Sequence, residues 1–180
     1  LDEAYIEFQA NEDPDTTLDL VRERPNVALL RTFSKCYGLA GLRVGYALCD
    51  PSIADLLNRV RQPFNVNNLA LVAAIASLDD AAFLRKSHAL NLAGLAQLAG
   101  GFKRLGLAWI PPFANFLTVE IPRAGGATQA GVVYQKLLRA GVIVRPVAGY
   151  ALPDHLRVTV GLPEENARFL AALAEALGKP

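Results

Sequence analysis

Two short apolar runs, Val27-Ala28-Leu29-Leu30 and Val44-Gly45-Tyr46-Ala47-Leu48-Cys49, are continuous rather than alternating. Strands of that kind are buried on both faces, the pattern of a parallel sheet covered by helices. Pro25-Asn26 precedes the first run and Asp50-Pro51 closes the second. Asp50 and Pro51 stand where an N-cap and a first-turn proline belong, which predicts a helix from Ser52 to about Arg61. Strand, loop, strand and helix in this order predict an α/β fold.

Residues 67–105 are rich in Ala and Leu and free of proline, with apolar positions three and four apart. The stretch exceeds an ordinary helix, so a break is expected near Asp79-Asp80, where an aspartate can cap the next segment. Beyond it the pattern changes. Phe116–Ile121 and Leu156–Val160 place polar residues at every second position, and Val142–Arg145 forms a third expected strand. Helices Gly131–Ala140 and Glu164–Leu177 flank them, ended by Gly141 and Gly178. The expected division is a sheet-containing part over 1–66, connecting helices over 67–105, and a small α/β domain over 106–180.

Composition excludes several classes. With 52% apolar and 19% charged residues the chain can build a core, which disordered chains cannot. Eighteen basic against seventeen acidic residues leave a net charge of +1, so bulk charge holds it to neither nucleic acid nor a membrane surface. Cys36 and Cys49 form no CxxC pair, and two distant histidines give no metal signature. The apolar run Leu69–Leu78 is too short to cross a bilayer, and the acidic opening lacks a signal peptide's basic region. A cytoplasmic protein is expected. The chain has no methionine, and is expected to be part of a longer protein.

The chemistry concentrates between the two apolar runs, in Arg31-Thr32-Phe33-Ser34-Lys35-Cys36-Tyr37-Gly38-Leu39-Ala40-Gly41-Leu42-Arg43-Val44-Gly45-Tyr46. A loop leaving one strand and entering another sits at a sheet edge, where α/β proteins bind ligands. Two hydroxyls, glycines and Arg43 suit a phosphate dianion, because arginine offers a rigid fork of donors and glycine lets backbone approach. The spacing is not that of a Walker loop. Lys35 is then open between two readings, a solvated loop lysine or a nucleophile towards a carbonyl. Asp2 likewise is either a turn cap or a ligand, and Tyr5 either a core-edge residue or a ligand.

Taken together, Asp2-Glu3-Ala4-Tyr5, then Ser34-Lys35 with the lysine 33 positions after the aspartate, then Gly38-Leu39-Ala40-Gly41-Leu42-Arg43-Val44-Gly45, resemble the fold-type I pyridoxal phosphate (PLP) aminotransferases. Within them the likeness is to the histidinol-phosphate aminotransferases. It continues through Gln62–Asn67, Ala114–Leu117, Val144–Pro146 and Leu156–Gly161, and so covers nearly the whole chain in order. The resemblance implies part of the large, mostly parallel-sheet domain of that fold, followed by its small C-terminal α/β domain. It implies that Lys35 holds PLP as an internal Schiff base and moves the substrate's α-proton. Asp2 would pair with the pyridine nitrogen, Tyr5 would donate to the 3′-oxygen, and Thr32, Ser34 and Arg43 would bind the phosphate. Cys36 departs from the alanine many members carry after the lysine, and is read as neutral packing.

Two further arginines follow. Arg157 lies on the polar face of an alternating strand, opposite Leu156, Val158 and Val160, where a guanidinium can grip a carboxylate. The resemblance assigns it the α-carboxylate of glutamate, and assigns Arg145 the phosphate of histidinol phosphate or glutamate's distal carboxylate. The reaction implied is amino transfer between histidinol phosphate and 2-oxoglutarate in histidine biosynthesis, by a homodimer that takes a tyrosine from its neighbour. The family's N-terminal half supplies further cofactor contacts, so residues 1–180 alone are expected to be inactive. Two alternatives stand beside this reading: another fold-type I enzyme (an aromatic aminotransferase or an O-phosphothreonine decarboxylase), or a non-enzymatic interaction module. His88 and His155 have no partner at metal or triad spacing and are expected to be structural or solvated.

Overall fold

The computed structural model describes residues 1–9 and 16–179. Two compact units divide the chain, 1–88 and 89–180.

In the first unit, strand β1 (Ala28–Thr32) pairs with strand β2 (Gly45–Cys49), and helix α1 (Leu18–Glu23) precedes them. The ladder is antiparallel, with Leu29 opposite Leu48 and Arg31 opposite Tyr46. This corrects the parallel pairing expected of these two runs. Strand direction is not encoded in continuous apolarity, and the two-sided burial expected of these runs is not seen either: Leu30 is half exposed and Ala47 is exposed. The parallel relation lies on the other edge of β1, where Asp2 bridges Leu30. Helix α2 (Pro51–Val60) begins as the sequence predicts, with Asp50 accepting from the Ser52 amide and Pro51 in the first turn.

Helix α3 (Asn68–Leu78) starts at Asn67, whose side chain accepts from the Ala70 amide. Its small residues Ala70 and Ala74, one turn apart, lie against Phe33 and Val44 and form the unit's core with Tyr37, Leu39, Leu42 and Tyr46. Phe33 is the centre of this packing, with Tyr37 and Tyr46 rings at 5.0 and 5.6 Å. The loop after β1 is therefore held from beneath by its own aromatic residues. Phe33→Ala is expected to cost about 3–5 kcal/mol, the usual range for emptying a buried phenyl site, read as a fall in the urea midpoint of unfolding.

Helix α4 (Ala81–Arg104) follows the break at Asp79-Asp80, with Asp80 accepting from the Phe83 amide. In the second unit, strands β3 (Trp109–Ile110), β4 (Phe116–Glu120), β5 (Arg145–Pro146) and β6 (His155–Thr159) form an antiparallel sheet in the order β3-β4-β6-β5. Helices α5 (Ala130–Arg139) and α6 (Pro163–Ala176) complete the unit. Its core joins Leu98 and Phe102 of α4, Leu117 and Val119 of β4, Leu156 and Val158 of β6, Leu137 of α5 and Leu173 of α6. The alternation of β6 is as the sequence predicts: Leu156 and Val158 are buried while Arg157 and Thr159 face the other way.

The strand expected over Val142–Arg145 is reduced to Arg145–Pro146. Gly141, at φ 72°, turns the chain out of α5, and the Val142 amide is spent on the Leu137 carbonyl. Residues still closing a helix cannot enter a ladder, and a proline is confined to a sheet edge. Among the described residues no helix is long and apolar enough to cross a membrane.

Candidate active site

Each residue of the loop after β1 is placed by a neighbour that is buried or bonded. Phe33 and Cys36 are both buried, at 5% and 3% exposure, while Lys35 between them is exposed. The Phe33 amide donates to Val44, and the Leu39 amide returns to the Phe33 carbonyl. Thr32 accepts from the Ser34 amide through Oγ1 at 3.1 Å, bringing the two hydroxyl residues into one turn. Gly38, at φ 73°, accepts a backbone conformation that side chains disfavour, and its amide donates to the Lys35 carbonyl. Gly45 is required for space: a Cβ there would stand 2.7 Å from the Arg31 carbonyl oxygen.

Arg43 reaches the left-handed region without being glycine, at φ 55° and ψ 48°. Its guanidinium donates to the Ala40 carbonyl at 2.9 Å, which folds the side chain back over the loop. Such a backbone costs an L-residue on the order of 1–2 kcal/mol. Strained positions of this kind cluster where a side chain has to be presented in one direction.

The segment preceding α1 runs beside β1, bridged to it at Leu30. Asp2 is exposed, and its Oδ1 accepts from the Ala4 amide at 3.0 Å. Tyr5 leads into a 3-10 turn, Ile6–Phe8, anchored by buried Ile6 and Phe8. The Nζ of Lys35 lies 5.2 Å from the centre of the Tyr5 ring. Lys35 and Tyr5 are thus brought together from positions 30 apart, and Asp2 is tied by its bridge to Leu30, two residues before Thr32.

Several residues near this site carry no signal that sequence reasoning used. Arg31 donates from Nε to Oε2 of Glu3 at 2.9 Å, with both side chains less than a tenth exposed. Burial works against the Arg31 charge, and Glu3 together with Tyr46, opposite Arg31 in the ladder, outweighs it and holds the guanidinium charged. Glu7, Arg31, Cys36, Tyr37, Tyr46 and His88 line a cavity of about 430 Å³. The expectation for His88 does not include this placement.

Burial is the leading influence on the cavity's acids. It pushes the Cys36 thiol up to about 11, with the Glu7 charge adding to it, so this thiol is an inert core group. It also raises the Glu7 carboxyl above its ordinary value, against the opposing pull of its backbone hydrogen bond and of Arg31. A carboxyl raised by folding favours the native state less once pH passes its unfolded value, because the native state then resists losing a proton that the unfolded state has released. Glu7→Gln is therefore expected to raise the melting temperature by a few degrees at pH 7. The gain should vanish below the ordinary value of 4.5, where both states are protonated. Thermal melts of the two proteins at pH 4 and pH 7 check it.

In the second unit Arg145 and Arg157 are direct partners across the β5–β6 ladder. Arg157 stacks on Phe116, its Cζ 4.6 Å from the ring centre, and its Nε is buried with no hydrogen-bond partner among the described residues. Both arginines line a cavity of about 440 Å³ together with Thr159, Glu165, Asn166 and Arg168. Like charges placed directly opposite on a sheet repel. A bound anion would relieve that repulsion and satisfy the orphaned donor.

The family model for aminotransferase class I and II matches residues 1–173. The chain belongs to this family. Among class I and II aminotransferases it is 58% identical to "Histidinol-phosphate aminotransferase 2" of Pseudomonas aeruginosa over 177 residues, covering 98% of this chain and 47% of that protein. It is 55% identical over 177 residues to "Histidinol-phosphate aminotransferase 1" of Dechloromonas aromatica, again with 98% of this chain and 47% of the relative. Among solved aminotransferases, histidinol-phosphate aminotransferase from Sinorhizobium meliloti in complex with pyridoxal-5′-phosphate superposes with a TM-score of 0.87 at 30% identity, covering 99% of this chain and 48% of that one. L-threonine-O-3-phosphate decarboxylase from Porphyromonas gingivalis shares the fold with a TM-score of 0.82 at 22% identity, covering 99% of this chain and 55% of that one. The chain spans about half the length of the curated relatives it matches.

Proposed function

We propose that the chain supplies the lysine-bearing part of a PLP-dependent aminotransferase that moves the amino group between histidinol phosphate and 2-oxoglutarate. The observation that carries the reading is the approach of Lys35 Nζ to the Tyr5 ring, with Asp2 on the same bridged segment. An amine, a phenol and a carboxylate gathered beside a loop with two hydroxyls and an arginine fit the aldehyde, the 3′-oxygen, the ring nitrogen and the phosphate of PLP. When bound, PLP supplies an aldehyde and a protonated pyridine ring that accepts the electrons left when Cα loses its proton.

This chain's residues do the rest. Asp2 holds the proton on the ring nitrogen, because a carboxylate beside a protonated nitrogen favours the charged form. Tyr5 donates its phenolic proton to the 3′-oxygen. Thr32, Ser34 and Arg43 hold the phosphate, Arg43 through charge-assisted hydrogen bonds. Lys35 Nζ is the amine that would hold the cofactor's aldehyde and would carry the proton away from Cα. Arg157 receives the α-carboxylate on its unpartnered Nε side. Arg145, its cross-strand partner, receives the second anion, the phosphate of histidinol phosphate or the distal carboxylate of glutamate. One arginine serves both substrates because each presents an anion there.

The names of the relatives support the substrate, and a homodimer working in the cytoplasm is part of the same proposal. The test is borohydride reduction of the complete protein with PLP, followed by peptide mapping. The pyridoxyl label is expected on Lys35, and its appearance on Lys86, Lys103, Lys136 or Lys179 instead would overturn the mechanism. Glutamate formation from 2-oxoglutarate with histidinol phosphate as amino donor is expected; carbon dioxide released from O-phosphothreonine without glutamate formation would favour decarboxylation instead.

A further inference from the structure

Asp2 and Glu3 are adjacent carboxylates on one extended segment, so their side chains leave it on opposite faces. The bridge places Asp2 beside Leu30, with the Glu3 amide donating to the Leu30 carbonyl and the Leu30 amide donating to Leu1, each at 2.9 Å. Asp2 therefore shares the face of Leu30 and Thr32, which is half exposed at Leu30. Glu3 shares the face of Arg31 and of Leu29, which is fully buried. A slip of one residue would exchange the two acids. A carboxylate would still face the cofactor side, longer by one methylene.

What separates the two registers is on the buried face. Arg31 offers Glu3 a bond of 2.9 Å there, with both side chains shielded from water and Tyr46 holding the guanidinium from the neighbouring strand. Glu7 also faces Arg31, but from the anchored 3-10 turn further along the segment. In the slipped register the shorter Asp2 would have to meet Arg31, and the anchored Ile6 and Phe8 would be pulled out of place.

We infer that Glu3 and Arg31 form a positioning pair that selects the register of the Asp2–Tyr5 segment on β1, and so decides which carboxylate faces the cofactor. Its consequence for the ring nitrogen rests on the function proposed above, whereas the register selection itself does not.

The test uses the complete protein and its Glu3→Gln variant, with and without PLP. In the cofactor-free variant the Glu3-position and Leu30 amides are expected to exchange with solvent about tenfold faster or more, while β2 amides keep their wild-type rates. In the loaded variant the pH midpoint of the cofactor's visible band is expected to rise by at least about half a unit, because the ring proton that holds it down has lost its partner. If exchange instead accelerates equally in the segment and in β2, with an unmoved midpoint, the pair is merely stabilising and the inference is overturned. Should Glu3→Gln fail to fold, the exchanged pair Glu3→Arg with Arg31→Glu decides. Wild-type protection at both amides supports the lock, and a folded but unprotected segment sinks it. An absence of label on wild-type Lys35 removes the proposed function and leaves the exchange result standing, so the two fail separately.

Discussion

Replacing Lys35 by alanine in the complete enzyme is expected to lower turnover by about 10⁴-fold or more, the upper range for loss of a positioned acid–base group. Under the proposed function the variant would lose the covalent tether and the proton carrier together. The two losses are separable. Small primary amines added to Lys35→Ala should restore part of the rate, and the rescue should grow with amine basicity, as proton transfer by a free base requires. Lys35 is exposed while Phe33 and Cys36 beside it are buried, so the alanine variant keeps the packing that places the loop. Its melting temperature should therefore lie close to wild type. A variant that retains turnover within tenfold would remove Lys35 from the reaction.

The second large effect belongs to Asp2. Asp2→Asn keeps the size of the side chain and an acceptor for the Ala4 amide, and removes only the charge. Turnover is expected to fall by roughly 10²–10³-fold, the cost of deleting one preorganised electrostatic partner. Lys35 should still be labelled by borohydride, because capture of the aldehyde needs the amine and not the ring proton. The pH at which the cofactor's visible band titrates should move upward. Loss of both labelling and band would show that the substitution disturbs the segment as a whole. The Glu3–Arg31 pair would remain to hold it, which makes that outcome a second probe of the register.

Local rules were readable at single positions. Asp50 and Pro51 open α2 as a cap and a first-turn proline, Asp80 caps α4, and Gly141 and Gly178 close α5 and α6 in the left-handed conformation. The alternation of β6 told which way Arg157 faces. All of these depend on residues within a turn or two of one another, where spacing and conformational preference act directly. Under the proposed function, the order of Asp2, Tyr5 and Lys35 was legible for another reason: a cofactor with several polar groups demands several residue types in a fixed order.

What the amino-acid sequence by itself determined is therefore most of the longer elements, their caps and the exposed face of β6. Tertiary structure alone decided that β1 and β2 run antiparallel, that Val142 closes a helix turn instead of extending a strand, and that Arg145 stands opposite Arg157. It alone decided that Glu3 finds Arg31, 28 residues away, on the buried face of β1. Burial and periodicity describe one residue's surroundings. Strand direction, register and ion pairing are relations between distant residues, which spacing along the chain does not encode.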